Sequence, residues 1–497
     1  MSHIPFSTSA RAQSSDSAAV SSQPSAVLGL REAITLIIGV VIGAGIFKAP
    51  SMVAGMAGST EWMFGAWVLG GLVSLIGALC YAELATAYPH AGGDYHFLRR
   101  AYGRPISFLF GWARFSVITT GSIALLAFVF GDYMNQALPL HAPHSGAWGS
   151  AVYALAAVVV LSWVNLRGLR SGAATQTWLT AVEVMGLLLI VIAALYLTAG
   201  GGTGPAAAAT TAAVSSTPSA SSFGLAMVFV LLTYGGWNEA AYISAEIKDG
   251  RRNMVRALVL SIFIITALYL LVTWAYWQGL GLAGMAASNA IAADVLGAAF
   301  GPAGEKIISV LVAIAALTSI NATMIVGART SYALGRDWPA LKHLAFWDGK
   351  RGTPVNAMLA QCVAALLLVV LGAWTGSGFR AMVEFTAPVF WLFFLLTGLA
   401  LFVLRVREPQ VERPYKVPLF PLLPSVFCLT CAYMLWSSLS FVYSQSLGGL
   451  NAAWIGVAVL GIGAVLLLLI RLVPAASPVA MSVVPPLKGE ACDRPPI

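Results

Sequence analysis

The chain has 497 residues, 59% hydrophobic and only 9% charged, and its mean hydropathy is +0.84. Soluble domains carry roughly 25% charged residues, so a water-soluble globule is excluded and lipid is the expected solvent. The net charge of +8 is spread over loops between apolar runs, a pattern that belongs to membrane topology and speaks against nucleic-acid binding.

Residues 1–27 are rich in Ser and Ala and lack an apolar core, so they read as a disordered cytoplasmic tail rather than a signal peptide. Beyond them, apolar runs recur at the length that spans a bilayer, about 20 residues. They predict twelve helices, over 33–57, 62–86, 105–134, 149–165, 173–198, 222–246, 255–279, 302–332, 354–374, 379–405, 420–442 and 451–473. No alternating ten-residue strands occur, which excludes a closed barrel. The expected fold class is therefore all-α integral membrane. The 200–222 stretch is low-complexity and reads as a flexible outer loop, and the proline-rich 474–497 as a second disordered cytoplasmic tail.

Lysine and arginine accumulate in alternate loops: Arg99, Arg100 and Arg104 after helix 2, Arg167 and Arg170 after helix 4, Lys248, Arg251, Arg252 and Arg256 after helix 6. The same side collects Arg329, Arg336, Lys342, Lys350 and Arg351 after helix 8, and Arg405, Arg407, Arg413 and Lys416 after helix 10. Loops 135–148, 199–221, 280–301 and 443–450 contain neither residue. Positive loops stay inside, so both termini are expected in the cytoplasm of a multi-pass protein of the cell membrane.

Helix 1 carries Gly39, Gly43 and Gly45 in mid-span. Each glycine costs about 1 kcal/mol relative to alanine inside a helix, so the cluster predicts an unwound segment. Freed amides and carbonyls in hydrocarbon must line a cavity or bind something. Helix 6 repeats the device at Tyr234-Gly235-Gly236-Trp237-Asn238, followed by Glu239. Helix 6 is the first of a second set of five, so the breaks occupy matching positions in an inverted repeat, a pointer to a transporter site. The competing reading is close helix packing through small residues, as at the Gly39/Gly43 spacing. Amides near Ala44 and Gly45 suit a carboxylate, and carbonyls left open near Val41, Ile42, Leu232 and Gly235 suit an ammonium. A zwitterionic amino acid fits both, although any small molecule with paired charges satisfies the backbone.

At these residues the sequence resembles the amino acid, polyamine and organocation superfamily, and most closely its L-type amino acid transporter branch. The resemblance is carried by IGAGIF (42–47), YAELATAYPHAGGDYHFL (81–98), TYGGWNEAAYISAEIKDGRRN (233–253), TPVNA (353–357) and LRVREPQVERPYKVPLFP (404–421). It implies a LeuT-like fold: two inverted five-helix repeats, about 33–198 and 222–405, plus two extra helices at 420–473, within a transporter domain over 28–473 and with helices 1 and 6 unwound. It also implies substrate carboxylate on the amides of Ala44 and Gly45 and the amine on carbonyls near Val41, Leu232 and Gly235, with Gly43, Gly236, Tyr234, Trp237 and Asn238 around them.

The chain departs from that branch in three places. Leu232 stands where an aromatic gate is usual, Gly250 where proline is common, and Glu183 ends the helix 5 run Gln176, Thr180, Glu183 where relatives have lysine. An ionisable group inside a span is a functional candidate by default. Glu183 is placed to load and release a proton, unless it pairs with Arg114, and Glu239 is a second proton site or a lure for a cationic substrate. Glu83 and Glu246, beside arginine-rich loops, read as gate or structural ion pairs. Lys48 stands near the outer mouth, either orienting substrate or snorkelling.

The five cysteines form no disulfide framework, and the Cys428/Cys431 pair falls in an apolar helix, where packing is the simpler reading. No zinc spacing or nucleophile set is visible, so neither cofactor nor enzymatic chemistry is expected. None of the cysteines falls between helices 3 and 4, where some animal relatives attach a heavy chain, so no disulfide-linked partner is expected. The leading expectation is a secondary amino acid transporter, proton-coupled or an exchanger. A polyamine or cationic amino acid exchanger is the alternative within the class, and a channel or membrane receptor the alternative outside it.

Overall fold

The computed structural model describes residues 29–90, 92–140, 146–167, 173–201, 217–238, 250–348, 353–376, 378–444 and 452–472. The two predicted tails, most of the 200–222 loop, Glu239 and Glu246 lie outside them.

Among the described residues the regular structure is helical apart from one isolated bridge between Asp348 and Thr353. Helix α1 (Leu30–Val41) and helix α2 (Ala49–Ala57) are separated by a 3-10 turn at Ala44–Phe47. There follow α3 (Thr60–Ala87) and a short α4 (Gly93–Tyr102). Helices α5 (Arg104–Ala113) and α6 (Thr120–Ala137) form one long rod joined by a π turn at Arg114–Thr119. Next come α7 (Gly146–Leu166), α8 (Ala173–Thr198), α9 (Ala220–Thr233), α10 (Gly250–Ala287) and α11 (Ile291–Asp337). The chain closes with α12 (Val355–Trp374), α13 (Gly378–Arg407), α14 (Leu422–Ser444) and α15 (Ala452–Leu472).

Nine helices are long and apolar enough to cross a membrane among the described residues. Their outer faces stay apolar: Phe263, Leu367 and Leu429 are 74%, 66% and 69% exposed. On a soluble protein such faces would be unmet interfaces; on this chain they are the lipid contact.

One predicted loop is not a loop. The 280–301 segment continues α10 to Ala287 and opens α11 at Ile291. The chain changes direction at Gly281 (φ 66°) and Gly301 (φ 69°), positions in the left-handed region that glycine occupies without a Cβ penalty. Between them Ile291, Ala292, Ala293, Val295 and Leu296 are buried, so an apolar turn of helix covers this end of the bundle instead of a solvated loop. The short α4 was likewise not expected as a separate element.

The basic end is held by a buried carboxylate. Glu83 on α3 is fully buried. It accepts from Arg405 Nε at 2.8 Å and Nη2 at 2.5 Å, and from the Val417 amide at 2.7 Å. Arg413 Nε stands 3.6 Å away. Nearby, Arg100 donates from Nε to Glu408 at 2.8 Å. The ion pair expected of Glu83, whether as a gate or as structure, is therefore present, and it ties α3 to the end of α13 and the segment that follows. Removing one partner of a buried pair leaves the other uncompensated, at about 3–5 kcal/mol. Glu83→Ala is expected to lower the melting temperature of the purified protein sharply, whereas Glu408→Ala, in an exposed pair, should change it little.

The described cysteines Cys80, Cys362, Cys428 and Cys431 are all free, and Cys428 and Cys431 are buried in the core, as packing predicts.

Candidate functional site

The first interruption begins where the glycines stand. α1 stops at Val41, its last backbone bond running from the Ile42 amide to the Ile38 carbonyl at 2.8 Å. Ile42 and Gly43 are extended, with Gly43 at φ −134° and ψ −173°, and the 3-10 turn starts at Ala44. The opening amides of any helix have no partner within it, so Ala44 and Gly45 present donors at this point. α9 ends at Thr233, and Gly236 follows at φ 108°, again a conformation suited to glycine.

The two interruptions meet. A Cβ on Gly45 would lie 3.6 Å from the Thr233 Cα, and one on Gly236 would lie 3.0 Å from the Val40 carbonyl oxygen. A Cβ on Gly43 would meet nothing within 4 Å among the described residues. Gly236 is thus a close-approach glycine, while Gly43 borders open space.

α10 runs beside α1 and the turn that follows it, and reaches them with three hydroxyls. Ser261 donates to the Ile34 carbonyl at 3.4 Å, and Tyr276 to the Ile46 carbonyl at 3.4 Å. Between them the buried Tyr269 hydroxyl lies 3.1 Å from the Val41 carbonyl and 3.0 Å from the Thr233 carbonyl. A phenol has one proton to donate, so Tyr269 shares it between the open ends of both broken helices. The sequence reading missed this residue. The available signal was a tyrosine in mid-span, whose hydroxyl must find an acceptor in a dry environment.

The carbonyls expected to be open are partly used. Val41 accepts from Tyr269, and Leu232 accepts from the Gly235 amide at 3.0 Å. A carbonyl oxygen has two lone pairs, so each retains acceptor capacity. Tyr234 turns its ring into the core, donating to the Trp67 carbonyl at 3.0 Å and packing on Tyr269 with ring centroids 5.1 Å apart. Trp237 packs edge-on against Tyr81 at 5.2 Å and Phe394 at 5.8 Å. Beyond this aromatic layer, Asn238 lines a cavity of about 30 Å³ with Asp94, Arg114 and Thr397, enough for a water molecule or two.

Glu183 is buried, 6% exposed, on α8. One turn on, Gly186 faces the Phe47 ring, so this part of α8 lies against the first interruption, and the Glu183 carboxyl is within electrostatic reach of Tyr269. Arg114, considered from sequence as its partner, lines the cavity beyond Trp237 instead. Lys48 does not snorkel. It is 3% exposed, with its ammonium 2.6 Å from Asp132 on α6.

Two interrupted helices facing each other within a bundle of membrane-crossing helices define a class, the multi-pass membrane transporters. Within that class the chain belongs to the amino acid permease family, whose model matches residues 28–470. It is similar to the Asc-type amino acid transporter 1 of Mus musculus, 30% identical over 416 residues that cover 82% of this chain and 75% of the relative. It is also similar to the large neutral amino acids transporter small subunit 2 of Homo sapiens, 29% identical over 83% of this chain and 75% of the relative. The b(0,+)-type amino acid transporter 1 of Mus musculus is 29% identical, covering 82% and 81% respectively. The protein is an amino acid transporter and not an enzyme.

Proposed function

We propose that the chain is a secondary active transporter that moves amino acids by alternating access, with the substrate held where the two interruptions meet. The observation that carries this reading is the open space at Gly43, flanked by the 3-10 turn that starts at Ala44 and by the Val41 and Thr233 carbonyls that Tyr269 bridges. The substrate carboxylate sits on the amides of Ala44 and Gly45. Its ammonium sits on carbonyls at the ends of α1 and α9, near Val41, Ile42, Leu232 and Gly235. Backbone recognition of both charges leaves the side chain to be selected by surrounding bulk, with Leu232 in the place of an aromatic lid.

The fold that goes with this reading is a pair of inverted five-helix repeats, about 33–198 and 222–405, followed by two extra helices within the 28–473 transporter domain. Both termini face the cytoplasm, following the basic loops. Glu183 is the proton-coupling residue, with Glu239 as a second candidate. The human relative is named a small subunit, but residues 135–148 contain no cysteine, so no disulfide-linked heavy chain is assigned.

Uptake into proteoliposomes from a panel of neutral, cationic and acidic amino acids and polyamines tests the proposal. Saturable uptake of α-amino acids is expected, with competition lost when either the amino or the carboxyl group is blocked. Transport of polyamines in preference to zwitterions would overturn it, and so would flux that does not saturate.

A further inference from the structure

The end of the bundle opposite the basic loops holds a polar cluster that substrate binding does not use. Lys48 precedes the first residue of α2 and is buried. Its ammonium lies 2.6 Å from the carboxylate of Asp132 on α6, a side chain that is 16% exposed, and donates to the Asn289 carbonyl at 2.5 Å. Its neighbours bind the same two places. Tyr133 donates to the Phe47 carbonyl at 2.6 Å and accepts from the Ala292 amide at 3.2 Å. Ser51 donates to the Ser288 carbonyl at 2.6 Å, and the Ser288 hydroxyl donates to Asp294 at 2.5 Å. The start of α2 is thus fastened to α6 and to the link between α10 and α11, directly beyond the first interruption.

An ion pair is a poor choice if the aim is only to fill this space, because apolar side chains of similar volume usually stabilise a buried site as well or better. It has a property they lack. When pressed together in a dry interior the two charges satisfy each other, and when drawn apart into water each is hydrated. The intermediate, separated but dry, is the costly arrangement. A charge pair therefore favours two states, closed and dry or open and wet, and penalises anything between.

We propose that Lys48 and Asp132 form the latch of the outer gate. Closed as here, the pair holds α2 against α6 and covers the route from outside to Gly43. When the outer side opens, α2 carries Lys48 away from Asp132 and water enters between them. The two are positioning residues: they set which side the site faces and do not touch substrate. This rests on the reading of the interruptions as the substrate site, with α1 and α2 moving against α6 and α11.

The test uses the full-length protein in right-side-out vesicles, with a reporter cysteine at Gly43 labelled from outside by a membrane-impermeant thiol reagent and the Gly43 parent as background. The double variant Lys48→Met/Asp132→Asn removes the latch without stranding a charge. It is expected to label about tenfold faster than the intact pair, with Lys48→Arg remaining slow. Equal rates with and without the pair would overturn the proposal. A second measurement does not depend on that variant folding well: Lys48→Cys/Asp132→Cys, bridged by a short cleavable bifunctional thiol reagent, should lose uptake and regain it on reduction. Full uptake with the bridge in place would also overturn the latch. Faster labelling of the reporter that amino acid substrate fails to slow would support the latch while removing Gly43 from the substrate site, so the two readings fail separately.

Discussion

Replacing Glu183 by glutamine is expected to abolish proton-driven accumulation of substrate while leaving exchange across the membrane. A charged carboxyl inside a span is costly unless it is paired or hydrated, and Glu183 forms no ion pair among the described residues. On the proposed coupling, it takes up a proton when the site is dry and gives it up when one side admits water. Its position links that event to the substrate. Gly186, one turn away, faces Phe47 at the end of the first interruption, and Tyr269, within reach of the Glu183 charge, bridges the Val41 and Thr233 carbonyls. Charging Glu183 thus alters the field on the hydroxyl that joins both broken helices. A gradient of one pH unit supplies about 1.4 kcal/mol per proton, enough for about tenfold accumulation at one proton per substrate. In proteoliposomes the parent is expected to approach that ratio and Glu183→Gln to stay near unity, with counterflow of preloaded substrate retained in both. Equal accumulation would take Glu183 out of the coupling.

Where the chain is interrupted was legible in the sequence; what surrounds the interruptions was not. Glycines at 43, 45, 235 and 236 announce a local event, the failure of a helix, and α1 and α9 do end at Val41 and Thr233. The residues that make these ends tolerable come from far along the chain. Tyr269 bonds a carbonyl 228 residues earlier, and a tyrosine in an apolar helix reads as packing until its acceptor is known. Lys48 looked like a residue that orients substrate or reaches for water because its partner Asp132 sits on a different helix. The covered end of the bundle was misread for a related reason. Residues 280–301 are rich in Gly and Ala and fall between two predicted helices, which suggests a loop, yet Ile291, Val295 and Leu296 find a core to enter. Tertiary burial, absent from any local pattern, decided that segment.

The two glycines Gly43 and Gly236 are expected to respond to substitution in opposite ways, and the contrast separates a binding site from a packing motif. If Gly43 were small so that helices could pass closely, a Cβ there would collide with a neighbour, as one on Gly131 would with the Ser150 carbonyl at 2.1 Å. Instead the space is open, and the extended backbone at φ −134° accepts any residue. Gly43→Leu should therefore fold with a melting temperature close to the parent's, yet lose uptake by at least about a hundredfold, because the side chain occupies the place assigned to substrate. A hundredfold loss corresponds to about 2.7 kcal/mol of excluded binding. Gly236 is the reverse. Its φ of 108° and the Val40 carbonyl at 3.0 Å oppose a Cβ on two counts, so Gly236→Ala should destabilise the fold by about 1–3 kcal/mol. Thermal unfolding of the purified variants alongside single-substrate uptake distinguishes the two outcomes. A Gly43→Leu protein that transports at parental rates would move the substrate away from the first interruption. One that fails to fold would return Gly43 to the packing role.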